Sequence, residues 1–310
     1  MKIEVLLSTW NGEKYLTELL NSLLQQSYQI FHITVLDDKS SDKTKDIIQD
    51  YIQEYPEKIT LLNTDKKFGY PDCFWYLLER APSADMYAFC DQDDVWDKNK
   101  FACCNELCAD LDPGTPVLYV HDYILCDSEL RKTGEHHIAN DGFDPDYPYN
   151  LIYYVMSSGF TMIINDALRR RILQDNLYHK NIFHDRWTFW AAFFSGDIIY
   201  DPRLLVKFRR HDKTTTETGK GNLVLLKVWL LGDIFGSNFS ETSKVAQFFA
   251  DCYQTEMNKK GTDIKKKWRR IAGAEKGPKA YVSRLFTQKK LKPSFTKELI
   301  LRINFLLNKK

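Results

Sequence analysis

With 310 residues, 44% of them hydrophobic and 14% aromatic, the chain can bury one large α/β core with an appendage, or two modest domains. Its formal charge of +1 hides a split: residues 1–258 carry 26 Lys+Arg against 39 Asp+Glu, and residues 259–310 carry 17 against 3. The acidic body speaks against nucleic acid as a partner, while the basic tail calls for an anionic one. The seven cysteines (Cys73, Cys90, Cys103, Cys104, Cys108, Cys126 and Cys252) are an odd set without zinc-finger spacing. That argues against a disulfide framework and for a reducing cytoplasm. The chain opens straight into a strand and has no apolar run of about 18 residues, so neither a targeting segment nor a membrane span is expected.

Residues 2–8 read as a buried strand, followed by the loop Ser8-Thr9-Trp10-Asn11-Gly12. Tyr15, Leu16, Leu19, Leu20, Leu23 and Leu24 give residues 13–26 the period of a helix. A second strand, 32–36, ends in Asp37-Asp38-Lys39-Ser40-Ser41-Asp42, where Ser41 or Asp42 can cap a helix over 43–55. Residues 59–63 form a third strand, Phe68-Gly69-Tyr70-Pro71 a turn, and 72–79 a helix. The apolar strand 86–90 then delivers Asp91, Asp93 and Asp94 ahead of an amphipathic stretch, 96–111. On that stretch Cys104 and Cys108 lie one helical turn apart, as small buried residues. Further strands are expected at 117–122, 198–200 and 204–208, with a hairpin excursion at 124–134 and a surface loop or lid at 136–150. Residues 153–165 are apolar around Ser157-Ser158-Gly159, and 167–177 form a helix. Phe183-His184-Asp185-Arg186-Trp187 opens an aromatic helix running to 194, and the last strand ends in Arg209-Arg210-His211. Beyond a boundary near Thr216, helical segments at 223–235, 244–257 and 264–285 mix apolar and basic residues.

The β-α-β-α-β alternation implies a parallel sheet with right-handed crossovers. Polar clusters follow the first strand, the second strand and the strand 86–90, so all three lie at one carboxyl edge, where open α/β sheets bind ligands. Packing Asp91, Asp93 and Asp94 together costs energy unless a cation or a hydrogen-bonded sugar lies between them. Hard oxygen ligands of this kind suit Mg²⁺ or Mn²⁺ bound together with substrate phosphates. No Gly-x-Gly-x-x-Gly and no P-loop motif occurs, which counts against a dinucleotide oxidoreductase and a P-loop enzyme. A nucleoside-diphosphate site is the reading that these clusters favour over an ordinary acidic turn.

With these pieces assembled, the chain resembles glycosyltransferase family 2, the inverting enzymes of GT-A fold that use nucleotide sugars. Within that family it is most similar to bacterial rhamnosyltransferase-type enzymes of cell-surface polysaccharide synthesis. The resemblance covers residues 2–213 and rests on five pieces, which begin with Leu7-Ser8-Thr9-Trp10-Asn11-Gly12 and Leu36-Asp37-Asp38-Lys39-Ser40-Ser41-Asp42. The others are Cys90-Asp91-Gln92-Asp93-Asp94-Val95-Trp96, His184-Asp185-Arg186-Trp187 and Phe208-Arg209-Arg210-His211. The implied fold is a Rossmann-like mixed α/β sheet: a GT-A domain over 1–215, with the nucleotide sugar on 1–100 and the acceptor on 115–215. A basic, mainly helical extension, 216–310, follows it.

The resemblance implies that Ser8, Thr9, Trp10 and Asn11 line the base and ribose pocket, with Trp10 stacking on the pyrimidine and Asp38 accepting the base N3–H. Asp91 and Asp93 form the Asp-x-Asp, one for the ribose and one for the metal. Asp93, Asp94 and His211 are the implied metal positions for Mn²⁺ or Mg²⁺, and Arg209 and Arg210 neutralise the diphosphate. Asp185 is the implied general base, flanked on the acceptor side by His184 and Trp187, where the family often has Glu-Asp instead of His184-Asp185. Ser158-Gly159 matches a small-residue turn that lets the acceptor approach. The implied reaction is a single in-line displacement with inversion, moving rhamnose from dTDP-rhamnose to a glycan acceptor, polyprenyl-diphosphate-linked. The alternatives are a hexosyltransferase using UDP-glucose or UDP-galactose, and a non-catalytic nucleotide-sugar-binding partner.

In the tail, Trp229, Phe235, Phe239, Phe248, Phe249 and Trp268 sit among clusters such as Lys265-Lys266-Lys267-Trp268-Arg269-Arg270. Basic helices with aromatic anchors bind anionic membrane surfaces. The expected location is therefore cytoplasmic and peripheral, on the inner face of the plasma membrane. Helices packed on the catalytic domain are the alternative, and a homodimer is compatible with the sequence.

Overall fold

Four apolar strands, β1 (Ile3–Thr9), β2 (Phe31–Asp37), β3 (Ile59–Leu61) and β4 (Met86–Cys90), run parallel in the order β3-β2-β1-β4. Near-continuous apolar runs such as Val5-Leu6-Leu7 and Ala88-Phe89-Cys90 are those of strands covered on both faces. The crossovers carry α1 (Leu16–Leu24), α2 (Thr44–Glu54) and α3 (Asp72–Arg80). Leu16, Leu19, Leu20 and Leu23 of α1 share one apolar cluster with Ile3, Val5 and Leu7 of β1 and Ile33 and Val35 of β2. In the computed structural model the described residues are 1–141, 144–177, 180–211 and 238–273, with 282, 284–287, 289–292, 295, 298–299, 301–302 and 305.

The sheet then becomes mixed. After β5 (Val95–Trp96) and α4 (Lys100–Cys108), β6 (Val117–Cys126) turns back on β7 (Lys132–His136) as the expected antiparallel hairpin. Next come β8 (Met162–Asn165), α5 (Asp166–Leu173), α6 (His184–Ser195) and β9 (Asp197–Arg209). The order among the described residues is β3-β2-β1-β4-β8-β6-β9-β5, with β7 on β6. β8 is antiparallel to both β4 and β6, and β9 is parallel to β6 but antiparallel to β5. Two short strands were expected where β9 is one. Pro202 has no N–H to donate, and the register with β6 shifts across from it, between His121 and Ile124, so the strand continues past the proline.

The chain divides into two compact units. One holds residues 1–138 with 157–211, and it contains the whole sheet. The other holds 139–156 with 212–310, so most of the stretch expected as a loop or lid belongs with the C-terminal unit. The boundary expected near Thr216 and the helix expected at 223–235 lie outside the described residues. In the second unit α7 (Asn238–Cys252), α8 (Gln254–Lys260) and α9 (Ile264–Ile271) bury Trp268, whose Nε1–H donates to the Ala246 carbonyl at 2.8 Å. Phe249 stacks on Tyr253 with ring centroids 4.2 Å apart. The Tyr153 hydroxyl donates to the Ile271 carbonyl at 2.7 Å, and Lys267 Nζ sits 4.7 Å from the Tyr149 ring centre. Phe249 and Trp268, expected as membrane anchors, are therefore core residues of this unit; Trp229, Phe235 and the Phe239 side chain lie outside what is described.

Candidate active site

The carboxyl ends of β1, β2 and β4 bring the three polar clusters to one edge, where side chains of one loop cap the backbone of the next. Asp37, buried, accepts from the Thr9 hydroxyl at 3.1 Å, the Ser40 hydroxyl at 2.5 Å and the Ser40 N–H at 3.0 Å. Asn11 takes a positive φ of 49°; its N–H donates to the Ser40 hydroxyl, and its carbonyl oxygen Oδ1 accepts the Ser41 N–H at 2.8 Å. Gln92 closes the set, accepting the Trp10 N–H at 2.8 Å and donating to the Trp10 carbonyl at 2.9 Å. A side chain at Gly12 would push the Gln92 amide from this place. Trp10 is left 53% exposed with Lys67 Nζ 4.6 Å from its ring centre, and Ser8 lies half-buried beside the Cys73 thiol. The Asp38 carboxylate accepts the N–H groups of Phe68 and Gly69 at 2.5 and 2.8 Å, and each oxygen retains a lone pair.

In the acidic turn the three carboxylates have different fates. Asp93 Oδ2 lies 2.8 Å from His211 Nε2, and both side chains keep some exposure. Asp94 is completely buried: Oδ1 accepts the Arg209 N–H at 3.1 Å, and Oδ2 has no partner among the described residues. Burial first, then the charges of Asp93 and Asp91, pushes its carboxyl well above the usual range. Asp91 is pushed up to about 7, by burial and then by Asp93 and Asp185. The Arg209 guanidinium is buried and engaged with the Asp93 carbonyl at 2.9 Å, the Ser128 carbonyl at 2.6 Å, the Glu18 carboxylate and the Tyr15 ring. Beneath the turn lies Lys100, fully buried, donating to the Phe160 carbonyl at 2.7 Å with its ammonium 3.2 Å from the Trp96 ring centre. Burial pulls Lys100 down to about 7 against the opposing influence of Cys90 and Asp94.

Asp185 stands in the first turn of α6, where the helix N-terminus favours negative charge. Its Oδ1 accepts the Arg186 N–H at 2.6 Å, and burial raises its carboxyl. The charge of Asp185 at the start of α6 is felt at Asp91 in the acidic turn. His184 is 2% exposed inside a box of rings: Phe74 at 4.1 Å, Phe89 at 4.8 Å and Tyr70 at 5.8 Å between centroids. Neither ring nitrogen has a hydrogen-bond partner among the described residues, and burial lowers the imidazole to about 3. A side chain on Gly159 would meet His184 Nε2 at 2.1 Å, so Ser158-Gly159 is a packing turn against α6. Trp187 is fully buried, with its Nε1–H on Asp175 at 2.8 Å.

A model described as glycosyl transferase family 2 matches residues 4–175. The chain belongs to that family. An uncharacterized glycosyltransferase of a Nostoc species is 32% identical over 216 residues, covering 67% of this chain and 62% of that protein. The dTDP-rhamnosyl transferase RfbG of Shigella flexneri is 34% identical over 97 residues, 30% of this chain and 34% of that protein. The poly(ribitol-phosphate) β-N-acetylglucosaminyltransferase TarS of Staphylococcus aureus is 35% identical over 100 residues, 32% of this chain and 17% of that protein. The chain thus spans less than two thirds of the length of each of these relatives. Among solved structures, TarS 1–349 with UDP-GlcNAc superposes with a TM-score of 0.56 at 17% identity, covering 92% of this chain and 88% of that one. The mannosyltransferase PcManGT of Pyrobaculum calidifontis, in complex with GDP-Man and Mn²⁺, gives 0.50 at 15% identity, covering 99% and 86%. At such identities the likeness is one of fold, the GT-A architecture.

For this family 2 chain the structure assembles Ser8, Thr9, Trp10, Asn11, Asp38, Asp91, Asp93, Asp185 and His211 at one sheet edge and the adjoining helix start. It withdraws others. Asp94, expected as a spare metal ligand, is closed off behind the Arg209 N–H. Arg209, expected on a diphosphate, is engaged by the protein, whereas Arg210 is half-buried beside Phe208. His184 and Trp187, expected to flank the acceptor, are enclosed by rings and by Asp175. Lys100 and Gln92 were missed. The signal for Lys100 was its place on the helix face of Cys104 and Cys108, four and eight residues on, a face that is buried.

Proposed function

We propose that this chain is an inverting glycosyltransferase that moves a sugar from a nucleoside-diphosphate donor to a hydroxyl of a glycan acceptor. The observation that carries the reading is the Asp93–His211 pair beside Asp91, with Asp185 within electrostatic reach of Asp91. Trp10 offers an open ring to a base, and Asp38 has acceptor capacity left for the base N3–H. Asp185 takes the proton of the acceptor hydroxyl while its oxygen bonds to the anomeric carbon. The anomeric carbon–phosphate oxygen bond breaks on the opposite face, and the nucleoside diphosphate leaves with the electron pair, inverting the configuration. Burial that raises the Asp185 carboxyl makes it a better base.

Among the described residues no three His, Cys, Asp or Glu side chains form a ready metal cage. Mg²⁺ and Mn²⁺ fit a site where one or two protein ligands are completed by phosphates and water, and Asp93 with His211 offers that pair. A cation held there would supply charge stabilisation to the departing diphosphate.

We take dTDP-rhamnose as the first donor, on the motif resemblance and the RfbG match, and a lipid-linked glycan as acceptor. The TarS match favours a UDP-sugar as the second reading. The tail supports a peripheral place on an anionic membrane, at the inner face of the plasma membrane. In the tail Val282, Phe286, Phe295 and Leu299 are half or more exposed, Lys289 and Lys290 are exposed too, and each basic residue near such a surface contributes about 1 kcal/mol.

Thermal stabilisation by dTDP-rhamnose, UDP-glucose, UDP-galactose and UDP-N-acetylglucosamine, each with and without Mn²⁺, tests the donor side, because ligand binding raises the midpoint by mass action. A metal-dependent rise with dTDP-rhamnose supports the first reading, and a rise with a UDP-sugar alone transfers it to the second. No rise with any donor contradicts the site.

A further inference from the structure

Tyr70 and Phe183 are large aromatic residues left 48% and 43% exposed in the first unit, and their rings touch, with centroids 5.6 Å apart at 39°. They come from unrelated segments, the turn before α3 and the residue preceding α6. Tyr70 is backed by buried rings: it lies edge-on to Phe74 at 6.2 Å and to His184 at 5.8 Å, and Phe74 and His184 are themselves buried against Phe89. Phe183 stands two residues before Asp185, and the Tyr70 hydroxyl lies within electrostatic reach of both Asp185 and Asp91. An open aromatic surface beside a few polar groups is the usual make-up of a ligand site.

We propose that Tyr70 and Phe183 form a stacking platform for a pyranose ring of the acceptor, holding its apolar C–H face while its hydroxyls point to Asp185. The occupant follows from position. The donor's base has Trp10 and Asp38, and its diphosphate has Asp93 and His211, whereas the platform adjoins the proposed base. This rests on the transferase reading only in naming the ring as the acceptor's; the binding surface stands without it. It also gives an acceptor-side contact to a site whose two expected ones, His184 and Trp187, are buried.

The test is calorimetric binding of octyl glycosides of rhamnose, glucose, galactose and N-acetylglucosamine to the full chain, with UDP or dTDP and Mn²⁺ present. No turnover is needed, so a wild type that binds a glycoside but transfers nothing overturns the transferase reading and leaves the platform standing. At least one glycoside is expected to bind the wild type, and Tyr70→Ala and Phe183→Ala each weaken it about tenfold. Tyr70→Phe, which keeps the ring, restores affinity, and nucleotide binding measured on the same samples shows that the variants are folded. Unchanged glycoside affinity in both alanine variants, or no glycoside bound by the wild type, overturns the proposal.

Discussion

On the nucleotide side of the site, Thr9, Trp10, Asn11, Asp37 and Gln92 are tied by side chains that cap the backbone or hydroxyls of neighbouring loops. On the side that begins at α6, order comes from rings: His184 lies among Phe74, Phe89 and Tyr70, and Trp187 is buried on Asp175. The first arrangement buries Thr9, Asp37 and Asp38 under hydrogen bonds and leaves the Trp10 ring exposed. The second buries His184 and Trp187 and leaves Asp185 partly exposed, with Tyr70 and Phe183 open. On the proposed reading the two sides take different ligands, a charged diphosphate and the partly apolar face of a sugar.

Lys100 is the residue that joins them, and its loss breaks the comparison most severely. It lies under Asp94 on one side and holds the Phe160 carbonyl, beside the Gly159 turn, on the other. Lys100→Met leaves the buried Phe160 carbonyl without its donor and removes the nearby amine that opposes the burial of Asp94, so it is expected to cost about 1–3 kcal/mol in denaturant unfolding. A cost under 1 kcal/mol would show that the buried amine is incidental. Asp93→Ala acts on the nucleotide side alone: metal-dependent transfer falls about 10²–10³-fold, read from nucleoside diphosphate release at saturating Mn²⁺. Equal activity with and without metal in the wild type would contradict that assignment.

His184 sharpens the other side through pH. The folded state keeps the imidazole neutral down to about pH 3, whereas the unfolded chain protonates near 6.5. Stability present above pH 6.5 is therefore lost as pH falls toward 3, by about 2 kcal/mol at pH 5. Melting curves at pH 7 and pH 5 should show that loss in the wild type and not in His184→Gln; parallel pH dependence in both would remove it. Gln92→Ala is the mildest change. It frees the Trp10 backbone near the surface and is expected to cost about 1 kcal/mol, seen as weaker nucleotide binding with the fold retained.

The same contrast explains what could be read from the sequence. β1, β2, β4 and the clusters after them were legible because apolar runs ending in polar turns carry their meaning locally, as in Leu36-Asp37-Asp38. Asp94 was misjudged because its burial depends on β5 pairing with β9, which brings the Arg209 N–H from 115 residues away. His184 and Trp187 were expected to flank the acceptor, and distant Phe74, Phe89 and Asp175 enclose them instead. β9 was cut in two at Pro202 because a proline normally ends a strand, and here the register shift opposite accommodates it. The grouping of 139–156 with the C-terminal unit left no periodic mark in the sequence.

The most direct measurement is made on Asp185→Asn: donor affinity by calorimetry and nucleoside diphosphate release, on the same samples with Mn²⁺. If the α6 side supplies the base and the nucleotide side holds the donor, affinity stays within about twofold while release to acceptor falls about 10²–10⁴-fold. Affinity and turnover falling together, or turnover surviving intact, would contradict that division.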